Sequence, residues 1–143
     1  RPRRGDLGDR ERAAAGEPGF RDRESAALAE LCAGPPGVIA TGGGAVLREA
    51  NRALLKASGF VVWLSAPPEA LWARISADGT TAARRPNLTP SGGLDEVRAL
   101  LAAREPLYRE VADLVVACDA APPEGVADAI LAALEASTGT TPD

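Results

Sequence analysis

Histidine and methionine are absent from this 143-residue sequence, and lysine occurs once, at Lys56. Without histidine the chain lacks the usual general base and the usual zinc ligand, so hydrolytic triads and zinc chemistry are poor candidates. The two cysteines, Cys32 and Cys118, form neither a disulfide framework nor a metal-ligand spacing, and they fit a reducing cytoplasm. No apolar run reaches the roughly 18 residues that cross a membrane, and no signal-peptide pattern is present. A formal net charge of −4 leaves no basic face to track a nucleic-acid backbone. Because the sequence starts at Arg1 and contains no methionine, it reads as a fragment of a longer product.

What is present is mostly small, apolar or arginine. The length fits one α/β domain with a sizeable core. Fifteen of the 16 basic residues are arginine, whose fixed fork of donors suits carboxylate and phosphate. The same excess can also mirror a GC-rich genome.

Residues 1–15 hold one large apolar side chain, Leu7, and read as a disordered terminal segment. From Phe20 the pattern changes, with Phe20, Ala27, Leu28 and Leu31 on one helical face ahead of Gly34-Pro35-Pro36-Gly37. Gly37 to Thr41 is a short apolar run that meets Gly42-Gly43-Gly44 and then a helical pattern from Ala45 to Ser58. Strand, glycine turn and helix are predicted in that order. A second strand, Phe60 to Leu64, precedes Pro67-Pro68-Glu69 and a helix to about Ser76. Residues 77–93 have turn composition and read as a lid-sized loop. Leu94 to Val111 is helical with Pro106 inside it, so a kink or break is expected near Arg104-Glu105, Leu114 to Cys118 is a third strand, and Pro122 to Glu135 a last helix before a flexible tail at 137–143. Continuous apolar strands alternating with helices imply a three-layer parallel sheet, whose ligands sit beyond the carboxyl ends of the strands. The glycine triplet and the chain after Leu64 both fall there.

A glycine turn after a strand lets backbone approach a ligand closely, although three glycines can equally be a tight turn and nothing more. It is not a phosphate loop of the form G-x-x-x-x-G-K-[ST], because Lys56 stands in Leu54-Leu55-Lys56-Ala57-Ser58.

Four stretches are more specific: Gly16-Glu17-Pro18-Gly19-Phe20-Arg21-Asp22-Arg23-Glu24, Thr41-Gly42-Gly43-Gly44-Ala45-Val46, Arg85-Pro86-Asn87-Leu88-Thr89, and Arg104-Glu105-Pro106-Leu107-Tyr108-Arg109-Glu110-Val111-Ala112-Asp113. In that order, from about Gly16 to Leu134, they resemble the shikimate kinase family. The resemblance implies a parallel-sheet fold of the P-loop nucleoside-monophosphate-kinase type and transfer of the γ-phosphoryl group of ATP to the 3-hydroxyl of shikimate, with Mg2+ as cofactor, by a cytoplasmic monomer. It implies that Arg21 and Arg104 grip the shikimate carboxylate, that Gly42, Gly43 and Gly44 contact the same substrate, and that Arg85, with Arg84 beside it, closes over the moving phosphate. It also implies that Arg74 and Pro123 pack against adenine. Ion pairs to Glu24 or Glu105, a solvated lid charge, and an ordinary helix-start proline are the plain alternatives for Arg21, Arg104, Arg85 and Pro123.

The family's first strand, its phosphate loop and its Mg2+ ligands would precede the matching region, so the sequence at hand reads as a shikimate kinase-like domain over 16–136 that carries the acceptor and lid part. Taken alone it is expected to be inactive, and to expose apolar edges where that first strand would lie between the strands at Val38 and Val61. Two other readings remain: a catalytically inactive binding or regulatory module, and a related small-molecule kinase such as a gluconate kinase.

Overall fold

The structure is a computed structural model that describes residues 4–77 and 93–138, of which residues 4–15 and Glu17 are described by backbone alone. The chain falls into two compact units, Arg1–Ser58 and Gly59–Asp143, where the sequence reading has one domain.

The first unit begins with α1, Arg4–Ala33, interrupted at Gly16, whose φ of 67° leaves the helical range. Helical backbone therefore extends into residues read from sequence as disordered. Alanine, glutamate and arginine, which fill Arg10 to Ala15, have high helix propensity even where they have nothing to bury. Gly16 is where propensity gives way, since only glycine takes that backbone shape readily. Leu28 is buried, as the helical face starting at Phe20 requires.

The expected strand at residues 37–41 forms no ladder among the described residues. Val38 is fully exposed and Ile39 is 41% exposed. A strand is defined by its neighbour, because each N–H and C=O must find a partner, and the described residues of this unit supply none. The expected single helix from Ala45 is instead a 3₁₀ helix, Gly43–Leu47, followed by α2, Glu49–Ser58. The two part at Arg48, which is extended at φ −93° and ψ 131°.

The second unit is an α/β arrangement around a parallel sheet, as the alternating pattern implies. Strands β1, Val62–Ser65, and β2, Leu114–Ala117, pair in parallel with Val62 opposite Leu114 and Ser65 opposite Ala117. Between them come α3, Pro68–Ala77, and α4, Leu94–Val111; α5, Pro123–Thr138, follows β2 and packs on it. Helix α4 runs unbroken through Pro106; one proline removes a single hydrogen bond, and the turns on either side keep theirs. Helix α5 continues past residue 137, the expected start of a flexible tail, and the tail's last residues lie outside the described ones.

Asp113 fixes how the ladder starts. Its carboxylate Oδ2 accepts a hydrogen bond from the Val61 N–H at 2.7 Å, while its own N–H donates to the Val61 carbonyl at 2.8 Å. On β1, Trp63 meets Tyr108 of α4 with ring centroids 5.5 Å apart, and the Arg109 guanidinium lies 5.3 Å from the Trp63 ring centre. No described helix is long and apolar enough to cross a membrane.

Candidate functional site

In the first unit Arg21 projects from α1 one helical turn before Glu24, the spacing at which side chains on a helix meet. Its Nη1 donates to Glu24 Oε1 at 2.7 Å, and the two side chains are only 16% and 15% exposed. The ion pair is thus real and part-buried, still in touch with solvent. The guanidinium also lies 5.3 Å from the centre of the Phe20 ring.

Across from it stands the bare Cα of Gly44. A methyl group there would overlap the Arg21 guanidinium, so the close approach requires glycine at this position for space rather than for backbone shape. At Gly42 a methyl group would sit 3.5 Å from Glu24 Oε2, an ordinary contact. The structure therefore brings the Arg21–Glu24 pair together with Gly42 and Gly44 of the glycine triplet, two features far apart in sequence.

Three polar residues that the sequence reading passed over surround this cradle. Arg48 pairs with Asp22 at 2.8 Å and donates to Ser25 Oγ at 3.3 Å, tying the stretch beside Arg21 to the start of α2. Asn51, only 4% exposed, donates through Nδ2 to the Ala45 carbonyl at 3.0 Å. Arg52 Nη1 donates to the carbonyls of Val46 at 2.8 Å and Leu47 at 3.2 Å. These bonds end the 3₁₀ helix: its last carbonyls are taken by side chains instead of by a continuing helical ladder. Asparagine is a poor residue for a helix interior, and that was the one available signal.

In the second unit, Arg104 is half-buried on α4, with its Nε enclosed and without a hydrogen-bond partner. Glu105, one of its suggested partners, pairs with Arg109 at 2.6 Å. Arg74, near the end of α3, donates to the Cys118 carbonyl at 2.6 Å, with Cys118 Sγ 3.8 Å away. Pro123 opens α5 and is exposed. Arg84 and Arg85 lie outside the described residues. An open cleft of about 360 Å³ sits at the carboxyl ends of β1 and β2, lined by residues including Trp63, Ser65, Pro68, Glu105 and Asp119. The chain after Leu64 forms one wall of it. At the outer surface, Arg98 Nη2 donates to Glu69 Oε1 at 2.7 Å, and that hydrogen bond holds the Glu69 carboxyl below its ordinary range and raises Arg98. Among the described residues, no group of three or more acidic, cysteine or histidine side chains could hold a metal ion.

Comparison with solved structures places this architecture in the class of P-loop small-molecule kinase folds. The chain is similar to a shikimate kinase from Acinetobacter baumannii in complex with shikimate, at 36% identity and a TM-score of 0.78 over 88% of this chain and 68% of that one. A shikimate kinase from Bacteroides thetaiotaomicron shares the fold at a TM-score of 0.76 and 23% identity, over 92% of this chain and 74% of that one. A family model described as shikimate kinase matches residues 12–135. Among curated relatives, the shikimate kinase of Rhodopirellula baltica is 56% identical over 68% of this chain and 52% of its own length. That of Pseudomonas entomophila is 52% identical over 84% of this chain and 67% of its own length. The chain belongs to the shikimate kinase family, and it spans about half to two thirds of the length of these relatives.

Proposed function

We propose that this chain supplies the acceptor side of a shikimate kinase, which moves the γ-phosphoryl group of ATP onto the 3-hydroxyl of shikimate. The observation that carries the reading is the Arg21 guanidinium, paired to Glu24 and laid against the bare Cα of Gly44. A carboxylate met by an oriented guanidinium fork is fixed in direction as well as bound, and a fixed acceptor lowers the barrier to in-line transfer. Arg104 is assigned the second grip because it stands where the family's pattern has an arginine, directly before Glu105-Pro106-Leu107-Tyr108. Gly42 and Gly43 would present backbone to the sugar-like ring of the same substrate.

Arg85 is assigned to the transferring phosphate, where a positive charge stabilises the transition state. Arg74 and Pro123 are assigned to adenine. Arg74 is held toward the carboxyl end of β2 by its bond to Cys118, in the loop that leads to Pro123. The family implies ATP and Mg2+; no step is routed here through the metal, for which the described residues offer no cluster of ligands. We place the protein in the cytoplasm and as a monomer. The sequence contains no G-x-x-x-x-G-K-[ST] loop, so residues 1–143 by themselves are expected to show no turnover.

Calorimetric titration of the full-length protein with shikimate tests the assignment. Arg21→Ala and Arg104→Ala should each weaken binding roughly tenfold to hundredfold, the range for hydrogen bonds to a charged group. Unchanged affinity in a folded Arg21→Ala protein would overturn the acceptor site proposed here.

A further inference from the structure

We infer that Asn51 and Arg52 are positioning residues for the acceptor cradle, holding the glycine turn against Arg21 from behind. The inference rests on the acceptor reading above and adds to it the part of the chain that keeps the site in shape.

A run of three glycines has no side chains with which to fix itself. Gly42, at the start of the 3₁₀ helix, makes no capping bond through a side chain, and a five-residue 3₁₀ helix is weak by itself because its hydrogen-bond geometry is poor. The Cα of Gly44 nevertheless has to stay within contact of the Arg21 guanidinium. Its position must be set from elsewhere. The three peptide units that follow Gly44 end in the carbonyls of Ala45, Val46 and Leu47, and α2 takes all three: the first through Asn51 at 3.0 Å, the others through Arg52 at 2.8 and 3.2 Å. Two donor side chains on adjacent residues thus clamp three consecutive carbonyls directly downstream of the contact with Arg21.

The burial of Asn51 supports a dedicated role. It is 4% exposed and is the one buried polar or charged residue among those described, a placement that costs free energy unless the amide is bonded. An apolar residue would fill the same space, but it could not hold the Ala45 carbonyl. The other half of the cradle is reached from the residue that leads into this helix, since the extended Arg48 is paired with Asp22 beside Arg21. Helix α2 therefore sets the distance between the guanidinium and the glycines, although none of its residues needs to touch the substrate.

The test uses the full-length protein with Arg52→Gln, Asn51→Asp and Arg52→Lys, measuring shikimate affinity by titration, both Michaelis constants and the melting temperature. Loss of a clamp should raise the dissociation constant and KM for shikimate about tenfold, the effect of misplacing one charge-assisted hydrogen bond, while KM for ATP moves less than about twofold. Arg52→Lys, which keeps a charged donor group at that position, should recover part of the loss. A lowered melting temperature with both Michaelis constants unchanged, or an equal rise in both, would overturn the positioning role. If Asn51→Asp fails to fold, Arg52→Gln, at a half-buried side chain, decides alone. Absence of shikimate binding in the unsubstituted protein would instead overturn the acceptor reading, and the inference with it.

Discussion

Gly44→Ala should damage the acceptor site while leaving the fold intact. The position is buried, and its φ lies outside the left-handed region, so an alanine backbone is tolerated there. The three atoms nearest the added methyl all belong to the Arg21 guanidinium, the far end of a flexible side chain, so the arginine head moves and the main chain stays. Two effects on stability then oppose each other. Replacing glycine at a compatible φ stabilises by about 0.4–1 kcal/mol through the unfolded chain. Disturbing the Arg21–Glu24 pair costs a comparable amount, about 1 kcal/mol or less for a pair still in touch with solvent. The melting temperature should therefore barely change. Binding has no such compensation: a displaced guanidinium forfeits charge-assisted hydrogen bonds of about 1.5–3 kcal/mol, or roughly tenfold to hundredfold in shikimate affinity. The assay is a double-mutant cycle by calorimetry on the full-length protein, in which Gly44→Ala added to Arg21→Ala should have little further effect because both remove the same contact. Full additivity of the two losses, or wild-type affinity in folded Gly44→Ala, would refute the reasoning.

Asp113→Ala leaves the Val61 N–H without its acceptor and loosens the start of the parallel ladder; urea unfolding should show a loss of about 1–2 kcal/mol, with substrate affinity unaffected. The Glu69 carboxyl is held below its ordinary range by Arg98, so its contribution to stability is present above the unfolded-state pKa and disappears as pH falls through the lowered folded value. Melting curves of Arg98→Ala should accordingly depend less on pH across the acidic carboxylate range than those of the parent, and an unchanged dependence would count against the pair. Residues 1–143 expressed alone should self-associate, because Val38, Ile39, Leu64 and Leu131 are each at least 41% exposed; light scattering checks this, and a soluble monomer with a sharp melt would contradict it.

Local patterning carried most of the second unit. Helix α4 lies where its apolar spacing places it, and both strands fall within a residue or two of their apolar runs, since parallel strands covered by helices are continuously apolar. Patterning failed where a partner decides. The run at Val38 has a strand's composition but no neighbour among the described residues of its unit, and the helix expected from Ala45 breaks at Arg48 because side chains of Asn51 and Arg52 capture the carbonyls that would have continued it. The division into two units was also invisible in composition.

At the candidate site, residue types and motif order pointed to Arg21 and the glycine triplet, yet no one-dimensional pattern shows that Gly44 is the glycine against the guanidinium. Glu24 was named only as a competing partner of Arg21, and its ion pair now orients that side chain. Asp113 and Arg109 belong to the stretch that carried the resemblance, and the structure gives both of them packing and hydrogen-bonding work on β1.

The central claim is that this chain is the acceptor side of a kinase for shikimate. The most direct measurement is ADP formation by the full-length protein with ATP and Mg2+, supplied in parallel with shikimate and with gluconate as acceptor. Shikimate-dependent release of ADP, matched by formation of shikimate 3-phosphate and absent with gluconate, is the predicted result. Turnover with gluconate, or no acceptor-dependent turnover by a folded full-length protein, would contradict the account.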